Sequence, residues 1–460
     1  MYYKNNIYLL LKKYPQIYKD IIKITPNKKI YELIETKLNK TTIKISFNGK
    51  SIYLHSRYNP QREAVNIAEE NYDLEVENYI IFGLGLGYHV EELMKMAPNS
   101  NFHIIETNKD IFRLALDNIN LSNIIDNSKV KLYVSDNILE ISGMLKRMVS
   151  LENIKIVIHN PSLSIMHEEL IDIKYLLEEL RMLKNSVDSY SLIMEENFKS
   201  NIKNYNKNVD VLFNKFNNIP LYIVSAGPSL DKNIQELAKV KDKGLILSVG
   251  RAARPLIKAG IYPDLIIITD PSSYLYDMQL KDLDIDIPII VLSTCDKNVM
   301  LSYRGYKLIA LQNRYQLAEG YAKEHKSDLV KTGGSVATTA LDVAINMGCN
   351  PIVFVGQDLA FTNNKSHSDA TYSKDINQKN NLREVEDVNG HTVYTSKNLY
   401  SYLRWIQNRI AKEQDITFID ATEGGAKIKG TEILTLKEVI EKYSNRDLKE
   451  KLNFIREINI

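Results

Sequence analysis

The stretch KTGGSVATTALDVAINMGCNPIVFVGQDLAFT, residues 331–362, indicates how this chain folds. A glycine-rich turn leads to Ser335, which can cap a helix whose small and apolar residues recur at helical spacing. Gly348 is a typical C-terminal stop for that helix. The apolar run at 352–355 then fits a strand that is covered on both faces. A helix followed at once by a buried strand predicts a parallel α/β sheet.

The turn before this helix also predicts a site for an anion. Backbone N–H groups at a helix start have no acceptor within the helix, and Gly334, Ser335 and Val336 supply them here. Such amides above the ends of strands suit a phosphate or a carboxylate. We therefore expect an anionic small molecule as the ligand.

Composition indicates an ordinary globular protein. The chain has 460 residues, 44% of them hydrophobic and 25% charged, which suffices for two or three domain cores. Its 59 basic and 57 acidic residues give a net charge of +2, so bulk charge provides no drive towards nucleic acid. Cys295 and Cys349 lie beside predicted strands and fit small core residues in a reducing compartment. No metal motif uses them, and we expect neither a metal nor a required cofactor.

No segment of the sequence has the pattern of a membrane span. The apolar residues 7–11 are too few for a secretion signal or a span, and no later segment reaches 18 uncharged apolar residues. These observations favour a cytoplasmic protein.

The first region ends in an alternating α/β pattern that is typical of a doubly wound parallel sheet. Its strand candidates lie at 79–82, 102–105, 130–134 and 154–158, and the helical stretches between them begin at Tyr88, Lys109 and Asn137. Two further strand candidates, 42–47 and 51–54, precede this pattern.

A glycine-rich loop follows the first strand of this sheet. Gly83, Gly85 and Gly87 let a backbone approach a ligand closely, and Glu106, 21 residues beyond Gly85, can accept hydrogen bonds from a ribose. These four residues are candidates for a second nucleotide site. Tyr88 replaces the third glycine of the dinucleotide fingerprint, so the spacing is closer to that of adenosylmethionine-dependent methyltransferases. The interpretation that we favour is that this domain keeps the fold but has lost, or never had, nucleotide-dependent chemistry.

The predicted fold class is α/β, with two Rossmann-like doubly wound domains joined by long helices and followed by a helical tail. The domains comprise residues 1–163 and 217–430, the connector 164–216 and the tail 431–460. The connector has apolar residues at helical spacing and neither proline nor glycine. Its helices could also form a dimer seam, so a homo-oligomer stays open.

Three strands of the central region deliver glycine or polar residues to one edge, where open α/β sheets bind ligands. The strand candidates 221–225, 245–249 and 265–269 are followed by Ala226-Gly227-Pro228-Ser229, by Gly250-Arg251 and by Asp270-Pro271. Ser229 can bond a phosphate or simply cap a helix, and both readings stay open.

Ordered motifs of this region resemble a known family. They are residues 226–230, GIYPD at 260–264 with Asp270-Pro271, TGGSVA at 332–337, GQDLA at 356–360 and ATEGGA at 421–426. They look like the motility-associated factor (Maf) proteins, bacterial flagellin glycosyltransferases. The core of that family is similar to the archaeal 6-hydroxymethylpterin diphosphokinase (MptE-like) domain and, more remotely, to bacterial sialyltransferases. Residues 82–93 and 106–108 resemble the family's N-terminal part.

The resemblance implies transfer of a nonulosonic acid, of the pseudaminic or legionaminic type, from its CMP-activated form to Ser or Thr of flagellin. The partners would be flagellin and the nucleotide sugar. The residues implied in donor binding are Ala226, Gly227, Pro228, Ser229, Gly250, Arg251, Asp270, Thr332, Gly333, Gly334, Gln357, Thr422 and Glu423.

The catalytic candidates are Asp358, His367 and Ser335. The related sialyltransferases carry a catalytic histidine where this chain has Thr395, so His367 and His391 are the nearby alternatives. Both lie in the polar stretch 362–397, which we expect to be a mobile loop or lid. Asp358 could act as a base or bind a hydroxyl, or it could cap a turn.

Two other functions stay open. A diphosphotransferase that uses a nucleoside triphosphate would need magnesium, and Asp264, Asp270 and Asp358 would have to converge. A non-catalytic flagellin-binding chaperone would need no reactive site at all.

Overall fold

The computed structural model describes residues 2–47, 49–149, 153–361 and 382–457. Contacts between residues divide the chain into two compact units, Met1–Met182 and Leu183–Ile460. The predicted connector is divided between them, because one long helix begins in the first unit and ends in the second.

The first unit contains seven strands, with helices before, between and after them in the described sequence. Its strands are β1 (Tyr31–Glu35), β2 (Thr41–Phe47), β3 (Lys50–Tyr53), β4 (Asn78–Phe82), β5 (Asn101–Glu106), β6 (Val130–Val134) and β7 (Ile154–Ile158). Its helices are α1 (Tyr2–Lys13), α2 (Pro15–Ile21), α3 (Pro60–Asn71), α4 (Tyr88–Met96), α5 (Lys109–Asn118), α6 (Ser122–Ile125), α7 (Ile138–Val149), α8 (Asn160–Ser164) and the start of α9 (Ile171–Asn201).

Two sheets organise these elements. Strands β1, β2 and β3 form an antiparallel sheet, and a parallel sheet has the order β6-β5-β4-β7. The register places Ile81 of β4 between Ile104 of β5 and Val157 of β7. All three are buried, since helices cover both faces of a doubly wound sheet.

The second unit contains a longer series of strands and helices. Its strands are β8 (Lys207–Asn208), β9 (Leu221–Val224), β10 (Leu245–Val249), β11 (Leu265–Ile268), β12 (Ile289–Leu292), β13 (Lys307–Gln312), β14 (Leu329–Val330), β15 (Ile352–Val355), β16 (Arg383–Glu386), β17 (Thr392–Thr395), β18 (Phe418–Asp420) and β19 (Glu432–Ile433). Its helices are α10 (Leu230–Asn233), α11 (Ala253–Lys258), α12 (Leu275–Gln279), α13 (Lys297–Ser302), α14 (Gln316–His325), α15 (Val336–Asn346), α16 (Lys397–Ile410), α17 (Leu436–Tyr443) and α18 (Lys449–Glu457).

The main sheet of this unit is parallel, with the order β14-β13-β12-β11-β10-β9-β15-β18-β19, and β8 also pairs with β13. From β9 the chain adds strands in one direction as far as β14, and β15 then returns to the other side of β9. The strand order therefore reverses between β9 and β15. This switch point is where open α/β sheets form a ligand crevice.

Helix α15 of the opening stretch has the predicted bounds and cap. Ser335 accepts a hydrogen bond from Thr338 N at 3.3 Å and forms a capping box with that residue. The helix is buried on every side, and its one acidic residue, Asp342, pairs with Arg409 Nε at 2.7 Å. That pairing explains how a carboxylate is tolerated in the core.

Two segments differ from the expectation. The polar stretch 362–397, predicted as a loop or lid, contains the antiparallel hairpin β16-β17 and the start of α16, while residues 362–381 lie outside the described part. Alternation decides the hairpin, because Val385 pairs with Val393 between polar neighbours. The predicted helical tail contains α17 and α18, but it begins with the short strand β19 of the main sheet, and Leu436 and Val439 of α17 belong to a core cluster.

Both cysteines are buried and carry free thiols. None of the described helices combines the length and the apolar content that a bilayer crossing requires.

Candidate functional site

The loops after β9 and β15 are fastened together at the switch point. Ser225 Oγ donates a hydrogen bond to Gln357 Oε1 at 2.6 Å. Ser229 Oγ donates to Asp358 Oδ1 at 2.5 Å, and Ser229 N lies 3.3 Å from both carboxylate oxygens. The predicted residues Ser229, Gln357 and Asp358 are thus brought together, although the two loops are more than a hundred residues apart in sequence.

Glycines allow this close approach. A Cβ at Gly227 would overlap the carboxylate of Asp358 and the carbonyl oxygen of Gly356. Gly425, at a φ of 74°, lies against the backbone of Asp358 in the same way. Any larger residue at these two positions would displace the aspartate.

Burial changes the roles that the sequence suggested for Ser229 and Asp358. Ser229 is 0% exposed and Asp358 is 3% exposed, and each is the hydrogen-bond partner of the other. The direct phosphate contact predicted for the Ser229 hydroxyl is therefore not supported, and neither is a side-chain cap of α10. In contrast, Gly227 and Pro228 of the same turn are only half-buried, so this backbone is the part that a ligand can reach.

A third strand end adds a buried acid that the sequence reading missed. Asp420 ends β18, is 1% exposed, and accepts a hydrogen bond from Thr422 N at 3.1 Å. Burial raises the pKa of Asp420 to about 6, and the neighbouring Asp358 raises it as well. Thr422, predicted to bind the donor, is 0% exposed and lies beneath the edge.

Glu423 supports the chain locally. Its φ is 58°, and its Oε1 accepts hydrogen bonds from Asn233 Nδ2 at 2.9 Å and from Leu436 N at 3.2 Å. These bonds join the loop after β18 to α10 and to the start of α17. The geometry therefore favours a structural role for the Glu423 side chain, as a link between segments, over the predicted contact with the donor.

The Gly333 turn follows β14 and leads into α15 at the same carboxyl edge of the sheet. Thr338 Oγ1 accepts from Gly333 N at 3.0 Å and from Ser335 N at 3.3 Å. Those two amides are therefore not available for an anion, contrary to the expectation for Ser335. The first amides of α15 itself, Val336 and Ala337, have no acceptor within a helix.

Aromatic residues of α16 pack under this turn. A Cβ at Gly333 would overlap the indole of Trp405, and one at Gly334 would lie 3.3 Å from Tyr402. Gly334 is exposed, whereas Thr332, Gly333 and Ser335 are half-buried. The backbone of this turn is thus accessible to a ligand, and the side chains of Trp405 and Tyr402 pack against it.

The ends of β10 and β11 lie between these two turns in the sheet. Gly250 is buried against Gln279, while Arg251 is exposed. Asp270 is half-buried, and its Oδ1 accepts from Ser272 N at 2.9 Å. The exposed or half-buried residues at the edge thus include Gly227, Pro228, Arg251, Asp270, Thr332, Gly333, Gly334, Ser335 and Glu423.

The two candidate histidines contribute little to this picture. His367 lies outside the described residues. The His391 side chain is 79% exposed in the turn between β16 and β17, with Nδ1 3.7 Å from Asp387 Oδ2.

The glycine loop of the first unit is closed upon itself. Glu106 Oε2 accepts from Leu84 N at 2.9 Å and from Gly85 N at 3.0 Å, and Glu106 is 1% exposed. Leu86 N donates to His55 Nε2 at 3.0 Å. The amides of residues 84–86 are thus bonded to Glu106 and His55, so the structure gives no support to the predicted nucleotide contacts of Gly83, Gly85, Gly87 and Glu106.

Comparisons with known proteins agree with this architecture. The model of the glycosyltransferase Maf N-terminal domain matches residues 31–137, and the 6-hydroxymethylpterin diphosphokinase MptE-like model matches residues 196–364. A solved structure of a Maf glycosyltransferase from Magnetospirillum magneticum AMB-1 is 15% identical, with a TM-score of 0.52 over 99% of this chain and 78% of that one. No curated protein sequence matches the chain.

These matches define the class of protein. The two domain models occur in one chain, and the resemblance to Maf glycosyltransferases predicted from the motifs is confirmed. The chain is accordingly a glycosyltransferase with two Rossmann-like α/β domains. The second domain match contains both the switch-point turn and the Gly333 turn.

Proposed function

We propose that this glycosyltransferase moves a nonulosonic acid from a CMP-activated donor to Ser or Thr hydroxyls of flagellin, in the cytoplasm and before export. The Maf domain match supports the transferase class. The donor chemistry agrees with the reachable edge of the second unit, because a CMP-sugar offers a phosphate, a ribose and a sugar carboxylate. Backbone amides and hydroxyls can bind these groups directly.

The observation that carries the proposal is the arrangement at the carboxyl edge. The buried Ser229–Asp358 pair holds the Gly227-Pro228 backbone at the switch point. The N-terminus of α15, an 11-residue helix, starts from the same edge. Its partial positive charge favours a phosphate there.

The reaction then follows simple chemistry. An acceptor hydroxyl oxygen forms a bond to the anomeric carbon of the sugar, the bond from that carbon to the phosphate oxygen breaks, and CMP leaves with the electron pair. Helix amides stabilise the charge that develops on the phosphate. The proton of the hydroxyl passes to a base, for which His367 stays a candidate, whereas Asp358 is buried and already accepts the hydrogen bond of Ser229.

A cap-preserving charge change tests the donor site. Ser335→Asp keeps an N-cap acceptor for Thr338 N, since aspartate caps well, but it adds a negative charge where the phosphate is proposed to bind. We expect CMP to bind about tenfold more weakly, measured by isothermal titration, with little change in melting temperature. The wild-type protein is expected to add a nonulosonic acid mass to flagellin.

The matched control is Asn59→Asp, which makes the same change at the cap of α3 in the first unit. It should leave CMP affinity unchanged. Equal CMP affinity in wild type and Ser335→Asp would exclude the proposed phosphate position, and an unaltered flagellin mass would exclude the transfer itself.

The diphosphokinase-like match makes a second candidate worth testing, transfer of pyrophosphate from a nucleoside triphosphate. Its carboxylates are poorly placed. Asp264 precedes β11, where its Oδ2 accepts from Ile246 N at 2.9 Å, whereas Asp270 and Asp358 follow strand ends. A four-residue strand separates the two edges by roughly 13 Å. Magnesium-dependent ATP binding without CMP binding would favour this candidate over the sugar transfer.

A further inference from the structure

Three buried histidines meet at the switch point of the first unit. His55 follows β3, His89 lies in the first turn of α4 after the glycine loop, and His159 follows β7 directly. Each is at most 2% exposed. One ring nitrogen from each residue can be chosen so that all three lie within 4.8 Å of one another.

In two of the rings, the nitrogen that points away from the cluster already has a hydrogen-bond partner. His89 Nε2 lies 3.1 Å from the carbonyl oxygen of Gly83, so this nitrogen carries the proton. His159 Nδ1 lies 2.7 Å from Ser162 Oγ. These contacts turn His89 Nδ1 and His159 Nε2 towards the interior, and neither nitrogen has a hydrogen-bond partner among the residues that the structure describes.

The third ring is oriented by a carboxylate. His55 Nδ1 lies 3.5 Å from Glu63 Oε2, which leaves the lone pair on Nε2. At present that lone pair accepts the hydrogen bond from Leu86 N. A carboxylate, a carbonyl and a hydroxyl behind three imidazoles are the partners that fix ligand histidines in metal sites.

Gly85 provides the space for this cluster. A Cβ there would lie 2.8 Å from His55 Nε2 and 3.4 Å from His159 Cε1. The rings of His89 and His159 are stacked, with centroids 4.6 Å apart and planes 10° apart. Packing alone would explain the stacking, but it leaves two buried ring nitrogens unpaired, which costs free energy.

We propose that His55, His89 and His159 bind one divalent transition-metal ion of the zinc class, through His89 Nδ1, His159 Nε2 and His55 Nε2. Imidazole nitrogen suits zinc and its neighbours, whereas magnesium and calcium prefer oxygen. At a zinc–nitrogen distance of about 2.0–2.1 Å the three nitrogens must approach to roughly 3.3 Å, so the rings turn and His55 releases Leu86 N. The ion would fasten the segments after β3, β4 and β7 to one another.

Metal content of the full chain, purified without a polyhistidine tag, tests this site. After equilibration with zinc and removal of the excess, we expect about one zinc per chain, and a higher melting temperature in the presence of zinc. His89→Gln and His159→Gln should lose both effects. The matched control is His103→Gln on β5, a buried histidine of the same sheet whose Nδ1 also lacks a partner.

Cobalt replacement keeps the proposal testable if the variants fold poorly. Cobalt bound to wild type should give the visible absorption of a four-coordinate nitrogen and oxygen site, without a thiolate charge-transfer band, since neither cysteine takes part. Three results would each overturn the proposal: no stoichiometric metal in wild type, unchanged metal in both variants, or a thiolate band.

Discussion

The two parallel sheets each reverse their strand order at one point, between β4 and β7 in the first unit and between β9 and β15 in the second. At the first point, the side chains of Glu106 and His55 accept hydrogen bonds from the backbone amides of residues 84–86. At the second, a serine–aspartate pair lies beneath the turn, and the backbone of Gly227 and Pro228 stays reachable.

Topology therefore determines where a site can form but not which chemistry it has. A loop whose amides are satisfied internally has nothing left to offer to a phosphate. The first switch point instead contains three imidazoles, whereas the second has the half-buried turn of Gly227 and Pro228, and the start of α15 follows β14, five strands away in the same sheet. Substitutions at Gly227, Gly85, Asp420 and Glu106 test this contrast.

Gly227→Ala should have the largest effect on catalysis. The added Cβ overlaps the carboxylate of Asp358 and the carbonyl of Gly356, so the switch-point turn must move. A displacement of this size typically lowers the rate about a hundredfold or more. Gly85→Ala, by contrast, should lower the melting temperature without changing CMP affinity, because the nearest atoms to its Cβ belong to His55 and His159 of the first unit and its φ of 53° strains an alanine.

The transfer rate and the CMP affinity of each variant provide the measurements. Gly320→Ala in α14 is the neutral control, since a Cβ at that position meets nothing within 4 Å. Equal loss of CMP affinity in Gly227→Ala and Gly85→Ala would remove the contrast between the two loops.

Asp420→Asn should change how stability depends on pH. The folded-state pKa of Asp420, about 6, lies above its ordinary value of 3.8, so the native state binds this proton more tightly than the unfolded chain does. The stability that protonated Asp420 contributes to the folded state is therefore present below about pH 4 and is lost as the pH rises through 6. Asparagine keeps an oxygen for Thr422 N and does not titrate.

Denaturation of both proteins at pH 4 and pH 7 measures this effect. The free energy of unfolding of wild type, relative to Asp420→Asn, should fall by about 2.4 kcal/mol between the two values. A constant difference would mean that Asp420 has an ordinary pKa and that the second switch point is wetter than its burial indicates.

Glu106→Gln tests the acid of the first loop and should have the smallest effect. Burial raises the pKa of Glu106, while hydrogen bonds from backbone amides of residues 84, 85, 107 and 108 lower it. Glutamine keeps one acceptor oxygen but places an amide where the second carboxylate oxygen was. We expect a loss of about 2 kcal/mol in stability and no change in CMP affinity. A lower CMP affinity would restore Glu106 as a nucleotide ligand.

Much of the fold was predictable because its signals are local. Strands β6, β7, β10 and β15 have the predicted bounds, and α15 begins after its predicted cap. Short runs rich in apolar and β-branched residues between turn signals specify strands, whatever lies elsewhere in the chain. The hairpin β16-β17 was missed because its two short strands carry few apolar residues.

The candidate site was only partly predictable. The motifs identified the turns that contain Gly227 and Gly333, but not which atoms are exposed. Ser229 and Asp358, 129 residues apart in sequence, form a buried hydrogen bond with each other, which the motifs did not indicate. Asp420, His55, His89 and His159 have no characteristic spacing, so no pattern in the sequence could single them out.

The alternation of strands and helices, the glycine turns at the strand ends and the family resemblance can all be inferred from the sequence, since each depends on neighbouring residues. Which amides remain reachable, which acids are buried and which histidines meet depends on how the chain folds. The reason is physical: hydrogen-bond partners and exposure are set by segments that lie close in space after the chain has folded, and periodicity along the chain carries no record of them.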